Sequence, residues 1–222
     1  MSQVRLIAFT QPIQLEGVQT GEELVAYCAR VSNPANQANH KTAPRLLNYL
    51  VRNQHWSPFE MAHAVIEIQT TRDIARQILR HRSFSFQEFS QRYAAVVDEP
   101  VLREPRLQDH KNRQNSVEVY NDDLKLWWDD KQSGVAAYTS AVYQQALERG
   151  IAKEVARALL PEGLTPSRLY MAGSVRSWIH YIQLRAGNGT QKEHREIAIM
   201  CRLALLDVMP SLQEILDATQ DH

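Results

Sequence analysis

The segment from Gln77 to Arg92 concentrates side chains that could bind an anion. Its sequence, QILRHRSFSFQEFSQR, holds three guanidinium groups, an imidazole and a carboxylate among several amides and hydroxyls. Guanidinium forks bind phosphate or carboxylate groups through two hydrogen bonds at once, and Gln and Glu offer hydrogen-bonding edges to a polar ring. This combination predicts a site for a phosphate-bearing ligand with a polar ring. The structural alternative is a helix C-terminus whose cations complement the helix dipole.

The charge distribution around this segment favours the ligand site. The chain has 25 basic and 25 acidic residues and is therefore neutral overall, and 19 of the basic residues are arginine. Residues 72–92 depart from that balance, because five arginines face two acids and leave an excess of 5 − 2 = +3. The arginines are Arg72, Arg76, Arg80, Arg82 and Arg92, and the acids are Asp73 and Glu88.

Sequence motifs for several other chemistries are absent. There is no H-E-x-x-H or C-x-x-C spacing, so we expect no metal site. Gly187-Asn188-Gly189 is a lone G-x-G without the third glycine of a dinucleotide fingerprint, and neither a P-loop nor a G-x-S-x-G motif occurs. Cys28 and Cys201 both lie in apolar surroundings of predicted helices, which favours two inert core thiols.

Length and composition indicate a globular protein of the reducing cytoplasm. The chain has 222 residues, of which 44% are hydrophobic, and two cysteines cannot build a disulfide framework. No apolar run approaches the roughly 18 residues that a membrane span needs, and no signal-peptide pattern is present. Neutral overall charge is not typical of proteins that bind nucleic acid through an excess of positive charge.

Hydrophobic periodicity predicts the elements that must position the basic segment. Alternating residues indicate a strand over Met61–Thr70, and helical spacing takes over from Thr71 to Arg80. The remaining predicted strands are Val4–Phe9, Phe89–Val97 and Thr165–Ala172, and Pro100–Asn115 reads as irregular or edge strand. The remaining predicted helices are Glu22–Val31, Arg45–Arg52, Val135–Glu148, Ala152–Leu160, Val175–Leu184, Glu193–Leu206 and Leu212–Ala218. We therefore expect a single α+β domain over residues 1–222, with a mixed or antiparallel sheet flanked by helices.

One motif in the basic segment resembles a known family. Arg80-His81-Arg82, then seven residues, then Ser90 matches the R-H-R-x7-S signature of the flavin-dependent thymidylate synthases. Further stretches resemble that family in the same order along the chain. They are His55-Trp56-Ser57-Pro58-Phe59-Glu60, Glu154-Val155-Ala156-Arg157 with Leu160-Pro161, and Arg176 through Arg185.

This resemblance implies a fold and an activity. The family is an α+β homotetramer with active sites at its subunit interfaces, each holding FAD. It converts dUMP to dTMP with 5,10-methylenetetrahydrofolate as carbon donor, and tetrahydrofolate leaves. The flavin delivers the hydride after NADPH or another reductant has reduced it, and no enzyme thiolate attacks the pyrimidine. The last point agrees with the prediction that both cysteines are core residues.

The resemblance also implies residue roles. Flavin contacts fall on His55, Ser57, Arg80, His81, Arg82, Glu88, Arg176 and His180, with His55 also near the folate. Contacts to dUMP fall on Gln77, Arg80, Glu88, Phe89, Ser90, Gln91, Arg92, Arg157 and Arg185. Arg185 resembles the catalytic arginine that polarises the uracil ring and favours its N3-deprotonated form. For Ser90, which has no neighbouring base in the sequence, we expect a hydrogen bond to phosphate and no role as a nucleophile.

The sequence departs from the family pattern at three proposed flavin positions. Ser174 and His180 stand where the family often has asparagine, and Gly189 stands where it often has histidine.

Two other kinds of function remain as alternatives. One is a single-strand nucleic-acid module that would stack bases on aromatic residues of the basic segment, namely Phe84, Phe86, Phe89 and Tyr93. The other is a helical interaction protein without a small ligand, which leaves the basic segment unexplained.

Overall fold

Residues 2–217, the part of the chain that this computed structural model describes, contain both helices and strands. The strands are β1 (Gln3–Phe9), β2 (His63–Thr71), β3 (Ser85–Glu88), β4 (Arg106–Gln108), β5 (Ser116–Glu118) and β6 (Pro166–Ser174). The helices are α1 (Gly21–Ala29), α2 (Ala43–Arg52), α3 (Arg72–Ile78), α4 (Asp122–Glu148), α5 (Lys153–Ala156), α6 (Val175–Arg185), α7 (Lys192–Leu206) and α8 (Leu212–Asp217). Ala218, the predicted end of the last helix, lies outside the described residues.

Four strands form the main sheet in the order β1-β2-β6-β3, and every pairing in it is antiparallel. Of the two arrangements expected, the antiparallel one is therefore correct. The alternation predicted for β2 is confirmed, because Ala64, Ile66 and Ile68 are all buried on the helix-covered side. Glu67 on the opposite side is also buried, since the Arg5 guanidinium pairs with it at 3.2 Å. A separate two-stranded antiparallel sheet joins β4 to β5.

Helix α6 carries the largest part of the core that supports the basic segment. The predicted apolar stripe is confirmed, because Val175, Trp178, Ile179 and Ile182 are all buried. The Trp178 indole N–H donates a hydrogen bond to the carbonyl oxygen of Ala64 at 3.3 Å, which ties the helix to β2. Burying such side chains stabilises the fold by about 1.5–3 kcal/mol each.

The strand predicted over Phe89–Val97 is wrong. The ladder of β3 ends at the Phe89 amide, which donates to the Arg168 carbonyl at 2.8 Å, and the chain then turns. The Ser90 carbonyl accepts from the amides of Tyr93 and Ala94 at 3.1 Å each, so the polar residues here form a turn. The apolar residues that favoured the strand prediction do not join the sheet. One of them, Val96, packs against the small core cluster on α4.

Helix α4 begins at Asp122, well before the predicted start at Val135. The early turns lack a continuous apolar stripe, because both Leu126 and Trp127 are exposed, and periodicity therefore missed them. The local start signal is present, since the Asn121 side chain caps the helix by accepting from the Leu124 amide at 3.0 Å. Despite the length of α4, no helix within residues 2–217 is long and apolar enough to cross a membrane.

Candidate functional site

The Gln77–Arg92 segment leaves the end of α3, turns, and enters the sheet as β3. The amides of Arg80 and His81 donate hydrogen bonds back to the last turn of α3, at 3.4 and 3.0 Å. The Phe84 ring then lies directly on Gly173 of β6, where an added Cβ would come within 2.5 Å of Phe84 Cδ1. Because only glycine leaves room for the ring, this contact places the turn against the sheet.

His81 and Arg185 meet at the C-terminal end of α6. The Arg185 Nε donates a hydrogen bond to His81 Nε2 at 3.0 Å, and the Tyr181 and His81 rings pack edge to face with their centroids 4.9 Å apart. Burial, together with the Arg185 charge, lowers the pKa of His81 to about 4. The imidazole is therefore neutral at pH 7, and its Nε2 is available to accept this hydrogen bond.

Arg185 keeps an unneutralised charge in this corner. Its side chain is half-buried, and no carboxylate within residues 2–217 forms an ion pair with it. A partly desolvated guanidinium without a counter-ion favours an anionic or strongly polarised ligand. The ring-polarising role of Arg185 stays a prediction.

Behind His81 lies a buried polar group that sequence reasoning missed. His194 is completely buried on α7, where its Nδ1 lies 3.3 Å from Gln77 Oε1 and its Nε2 lies 3.1 Å from the Tyr181 hydroxyl. The Gln77 Nε2 in turn donates to Gln191 Oε1 at 2.8 Å. One available signal was the helical spacing that puts His194 on the same face as the buried Ile197.

A cavity of about 410 Å³ is lined with cationic and amide groups. Gln91 and Arg157 were expected to contact dUMP, and the structure adds Arg72 and Arg76 of α3, which the charge analysis noted but did not assign to the site. The Gln91 Nε2 is buried without a hydrogen-bond partner. Because unsatisfied buried donors are rare, this amide indicates a ligand that supplies an acceptor.

Carboxylates share this cavity and limit its positive charge. Arg76 pairs with Glu162 at 2.5 Å, and Glu154 also lines the space. Glu88, expected to contact both flavin and substrate, lies 3.7 Å from the Arg72 guanidinium and accepts a hydrogen bond from the Ser167 hydroxyl at 2.8 Å. Its carboxylate therefore offsets part of the Arg72 charge beside the cavity.

The other expected substrate residues are distributed over neighbouring surfaces. Arg92 is exposed and pairs with Glu154 at 3.2 Å, next to the cavity. Ser90 contributes its carbonyl to the turn that follows β3. Phe89 lines a different and larger cavity of about 1160 Å³, on the side of Thr71 and Ser167. A single chain thus brings Gln91 together with Arg157, and Gln77 with His81, but not Phe89 with either pair.

The expected flavin residues at the other end of α6 form their own group. His180 packs on the Trp56 ring with centroids 4.5 Å apart, and Arg176 pairs with Glu60 at 2.8 Å. His55 and Ser57 are exposed on the same loop as Trp56. Arg176 and Arg185 are nine residues apart on α6, which is about 14 Å along the axis. The prediction that the two arginines serve different partners agrees with this separation.

Arg80 and Arg82 are the most accessible cations of the signature. Both side chains are exposed, and in the described part of the chain neither forms an ion pair. Free guanidinium forks at a turn suit the pyrophosphate of a dinucleotide cofactor. The donor set of Arg80, Arg82 and Arg176, with an aromatic surface beside His180, therefore fits an anionic flavin dinucleotide.

Comparison with known proteins identifies the family. The Thy1 family, described as "thymidylate synthase complementing protein", matches residues 14–211. The chain is 52% identical over 213 residues to a probable flavin-dependent thymidylate synthase of Paramecium bursaria Chlorella virus 1, covering 96% of this chain and 98% of the relative. It is 49% identical over 216 residues to the flavin-dependent thymidylate synthase of Synechocystis, covering 96% and 99%. The chain belongs to the flavin-dependent thymidylate synthase family.

A solved structure supports the same conclusion. The fold matches the UMP/dUMP methylase PolB from Streptomyces cacaoi bound with 5-Br dUMP, with a TM-score of 0.83 and 25% identity, covering 98% of this chain and 95% of PolB. Family membership confirms the resemblance carried by the R-H-R-x7-S signature. It also confirms the expectation of an enzyme of this family.

Two of the four aromatic residues that a nucleic-acid module would need for base stacking pack against the core instead. Phe84 packs against Trp178 with centroids 4.8 Å apart, and Phe86 also packs against the core. Tyr93, in contrast, is 85% exposed. The proposed stacking surface is therefore not formed, which counts against this alternative.

Besides His180 on the Trp56 ring, the two other departures from the family pattern have distinct structural settings. Ser174 is the N-cap of α6, and its hydroxyl accepts from the Ser177 amide at 3.3 Å, a role that serine and asparagine fill equally well. The Ser174 hydroxyl, followed by Arg176, lowers the pKa of Glu60 and so keeps the partner of Arg176 ionised. Gly189 lies exposed in the loop between α6 and α7 with open space around it.

The two cysteines differ in burial. Cys201 is fully buried, as expected, and burial raises its pKa. The expectation that Cys28 is also a core residue is only partly correct, because the buried side of α1 is formed by Val25 and Ala26, and Cys28 is half-buried beside them. Burial raises the Cys28 pKa as well. Neither thiol has the lowered pKa typical of an activated nucleophile.

Proposed function

We propose that the protein converts dUMP to dTMP with 5,10-methylenetetrahydrofolate as carbon donor and releases tetrahydrofolate. FAD, reduced by NADPH or another donor, supplies the hydride when bound. The observation that carries this proposal is the half-buried Arg185 guanidinium, which contacts the neutral His81 imidazole at 3.0 Å and lacks a carboxylate partner within residues 2–217. Its family membership and its likeness to a dUMP methylase support the choice of substrate.

Arg185 acts on the pyrimidine as a fixed positive charge. A uracil ring in this corner places its N3 and carbonyl oxygens beside the guanidinium, which favours the N3-deprotonated form and the negative charge that the ring carries during methylation. Because Arg185 is already partly desolvated and held by His81, little reorganisation is needed when the charge develops. Because His81 is neutral, it does not offset the Arg185 charge, which acts in full on the substrate.

The cationic cavity holds the phosphate of dUMP. Arg72, Arg76 and Arg157 supply guanidinium donors, and the unpartnered Gln91 amide supplies a further N–H. The Ser90 hydroxyl and Arg92 add donors from the turn after β3. In this arrangement Glu88 offsets part of the Arg72 charge and contacts the nucleotide from the same side.

The exposed arginines of the signature and the Trp56 surface would hold a flavin dinucleotide. Arg80 and Arg82 would bind its pyrophosphate, and Arg176 and His180 of α6 would contact it beside Trp56. His55 and Ser57 lie beside this surface, with His55 toward the folate. On the basis of the family resemblance, we propose that a homotetramer completes each site from more than one subunit.

Catalysis proceeds without an enzyme cysteine. A thiol nucleophile needs a lowered pKa and access to the substrate, whereas burial raises the pKa of both Cys28 and Cys201. The pyrimidine is instead activated by the Arg185 charge. This distinguishes the proposed mechanism from that of thymidylate synthases that depend on a cysteine.

The experiment that tests the proposal is a visible spectrum of the purified protein followed by titration with dUMP. We expect an oxidised-flavin band that dUMP perturbs, and dTMP formation once methylenetetrahydrofolate and NADPH or dithionite are added anaerobically. A protein that cannot be reconstituted with FAD and forms no dTMP would refute the proposal. Deoxyuridine, which lacks the phosphate, serves as the control ligand for the cationic cavity.

A further inference from the structure

A continuous chain of hydrogen bonds runs through five side chains beneath the Arg185 corner. Gln191 Nε2 donates to Glu193 Oε2 at 2.9 Å, and Gln77 Nε2 donates to Gln191 Oε1 at 2.8 Å. On the other side of Gln77, His194 links its Oε1 at 3.3 Å to the Tyr181 hydroxyl at 3.1 Å. Gln77 is therefore the central member, with partners on both polar atoms of its amide.

The ionised state of Glu193 determines which groups donate in the first half of this hydrogen-bond chain. Although burial raises its pKa, the backbone amide of its own residue and the charge of Arg103 outweigh this and hold the pKa below its usual value. Arg106 lies 2.5 Å from the same carboxylate. An ionised carboxylate only accepts hydrogen bonds, so Gln191 must turn its NH₂ group toward Glu193. The Gln191 carbonyl then faces Gln77, which must turn its own NH₂ group toward it.

Gln77 sets the direction of hydrogen bonding in the second half, through His194. Burial, followed by the charges of Arg185 and His81, lowers the pKa of His194 to about 4, so its ring is neutral and carries one proton. Because the Gln77 Oε1 can only accept, the proton lies on Nδ1, and Nε2 accepts from the Tyr181 hydroxyl. A reversed Gln77 amide would bring two acceptors together at Gln191, and His194 would have to change its tautomer.

We propose that this chain makes Gln77 a specificity-determining residue that selects a pyrimidine with a carbonyl at position 4 over one with an amino group. The inference rests on the proposed function, in which Gln77 contacts dUMP, and it adds how the base is chosen. The Gln77 amide has one N–H and one lone pair left after its contacts within the chain. The five-residue chain fixes which of these points where.

Uracil and cytosine exchange hydrogen-bond roles on the edge that an amide can read. Uracil presents an acceptor at O4, also when its N3 is deprotonated, whereas cytosine presents a donor at N4. A glutamine that is free to rotate by 180° about its last bond pairs with either base. A glutamine of fixed orientation pairs with one and leaves unsatisfied groups against the other, which is worth roughly 10- to 100-fold in affinity.

Residues that never touch the nucleotide therefore set this selectivity. Tyr181 and Gln191 are positioning residues, since they act through the Gln77 amide. A double variant, Tyr181→Phe with Gln191→Leu, removes the hydroxyl that donates to His194 Nε2 and the acceptor of the Gln77 NH₂ group. The matched control is Tyr143→Phe, which deletes another buried tyrosine hydroxyl, one that accepts from the Val96 amide at 3.1 Å in the separate core cluster on α4.

The test is calorimetric titration of the FAD-loaded protein with dUMP and with dCMP. We expect the parent and the Tyr143→Phe control to favour dUMP, and we expect the ratio of the two dissociation constants to fall roughly 10- to 100-fold in the double variant. Loss of fold integrity alone would weaken both ligands and leave the ratio unchanged. A folded double variant with the parental ratio would overturn the inference.

Two further outcomes separate this inference from the proposed function. If the parent protein binds dUMP and dCMP equally, the proposed function stands and the specificity role of Gln77 is wrong. If the parent binds no dUMP at all, both are wrong. Should the double variant not fold, Gln191→Leu alone is titrated, because it removes the acceptor that fixes the direction of the Gln77 amide. An unchanged ratio in that variant would equally overturn the inference.

Discussion

Replacing Arg185 by alanine tests the electrostatic centre of the proposed site. The Arg185 side chain is half-buried and its Nε donates to His81 at 3.0 Å. Since no carboxylate in the described residues neutralises it, its charge acts on whatever ring binds beside it. Alanine removes this charge and leaves His81 in place.

The expected loss follows from two independent magnitudes. Two unit charges about 4 Å apart interact by about 4 kcal/mol at an effective dielectric constant near 20. At about 1.4 kcal/mol for each tenfold change in rate, that energy corresponds to roughly a 10³-fold effect. Removing one preorganised donor to a developing charge typically costs about 10²–10³ in kcat. We therefore expect Arg185→Ala to lower the rate of methylation by about 10²–10³.

The FAD content of the variant separates this effect from a loss of cofactor. Arg80, Arg82 and Arg176 remain in Arg185→Ala, so the flavin absorbance per protein should stay close to that of the parent. The pKa of His81 should also rise, because the Arg185 charge is one of the two causes that lower it. Nuclear magnetic resonance titration of the imidazole protons measures this shift directly.

The decisive assay is anaerobic single-turnover formation of dTMP at saturating dUMP, quantified by chromatography. Arg45→Ala, which removes an exposed arginine of α2, is the matched control and should keep the parental rate. Arg185→Lys should be intermediate, because lysine retains the charge but not the planar fork. A folded, flavin-loaded Arg185→Ala protein with a rate within about threefold of the parent would refute the role assigned to this residue.

Three further outcomes follow from the structure. The double variant Cys28→Ala and Cys201→Ala should keep its activity, and complete loss in a folded protein would restore the case for a thiol nucleophile. Gly173→Ala places a Cβ 2.5 Å from the Phe84 ring and should cost about 1–3 kcal/mol in urea unfolding, whereas Gly134→Ala in open space on α4 should not destabilise the protein. The pKa of His194 is about 4 in the folded state, against 6.5 for a histidine in an unfolded chain, so the unfolded chain binds more protons between these values. Stability should therefore be fully present above pH 6.5 and fall toward pH 4, and His194→Asn should make that fall shallower in urea midpoints measured at each pH; an equally steep fall would contradict the assignment.

Sequence patterns predicted the framework of the site well. Strand β2 and helices α3, α6 and α7 were all expected near their observed bounds, because each buries one clear apolar face. Local periodicity failed where neighbouring elements determine the structure. The segment 89–97 has strand-like composition, but Ser90 turns the chain and Val96 packs on α4. The first half of α4 lacks an apolar stripe and was missed.

The sequence alone determined the family and the location of the signature, because R-H-R-x7-S is a short run of residues that can be read without knowing the fold. It also determined that α6 carries Arg176 and Arg185 toward different surroundings, since helical spacing separates them. Only the tertiary structure decided what these residues contact. Arg72 and Arg76 join Arg157 around one cavity because α3 packs near the segment after α5.

The tertiary structure also decided the electrostatic state of the site. His81 is neutral and Arg185 lacks a carboxylate partner within the described residues because α3, α6 and α7 enclose this corner together. The partners that orient Gln77 come from two other helices and the loop before α7, so no spacing along the chain could reveal them. Local patterns report the periodicity of single elements, whereas burial and hydrogen-bond direction depend on how several elements pack.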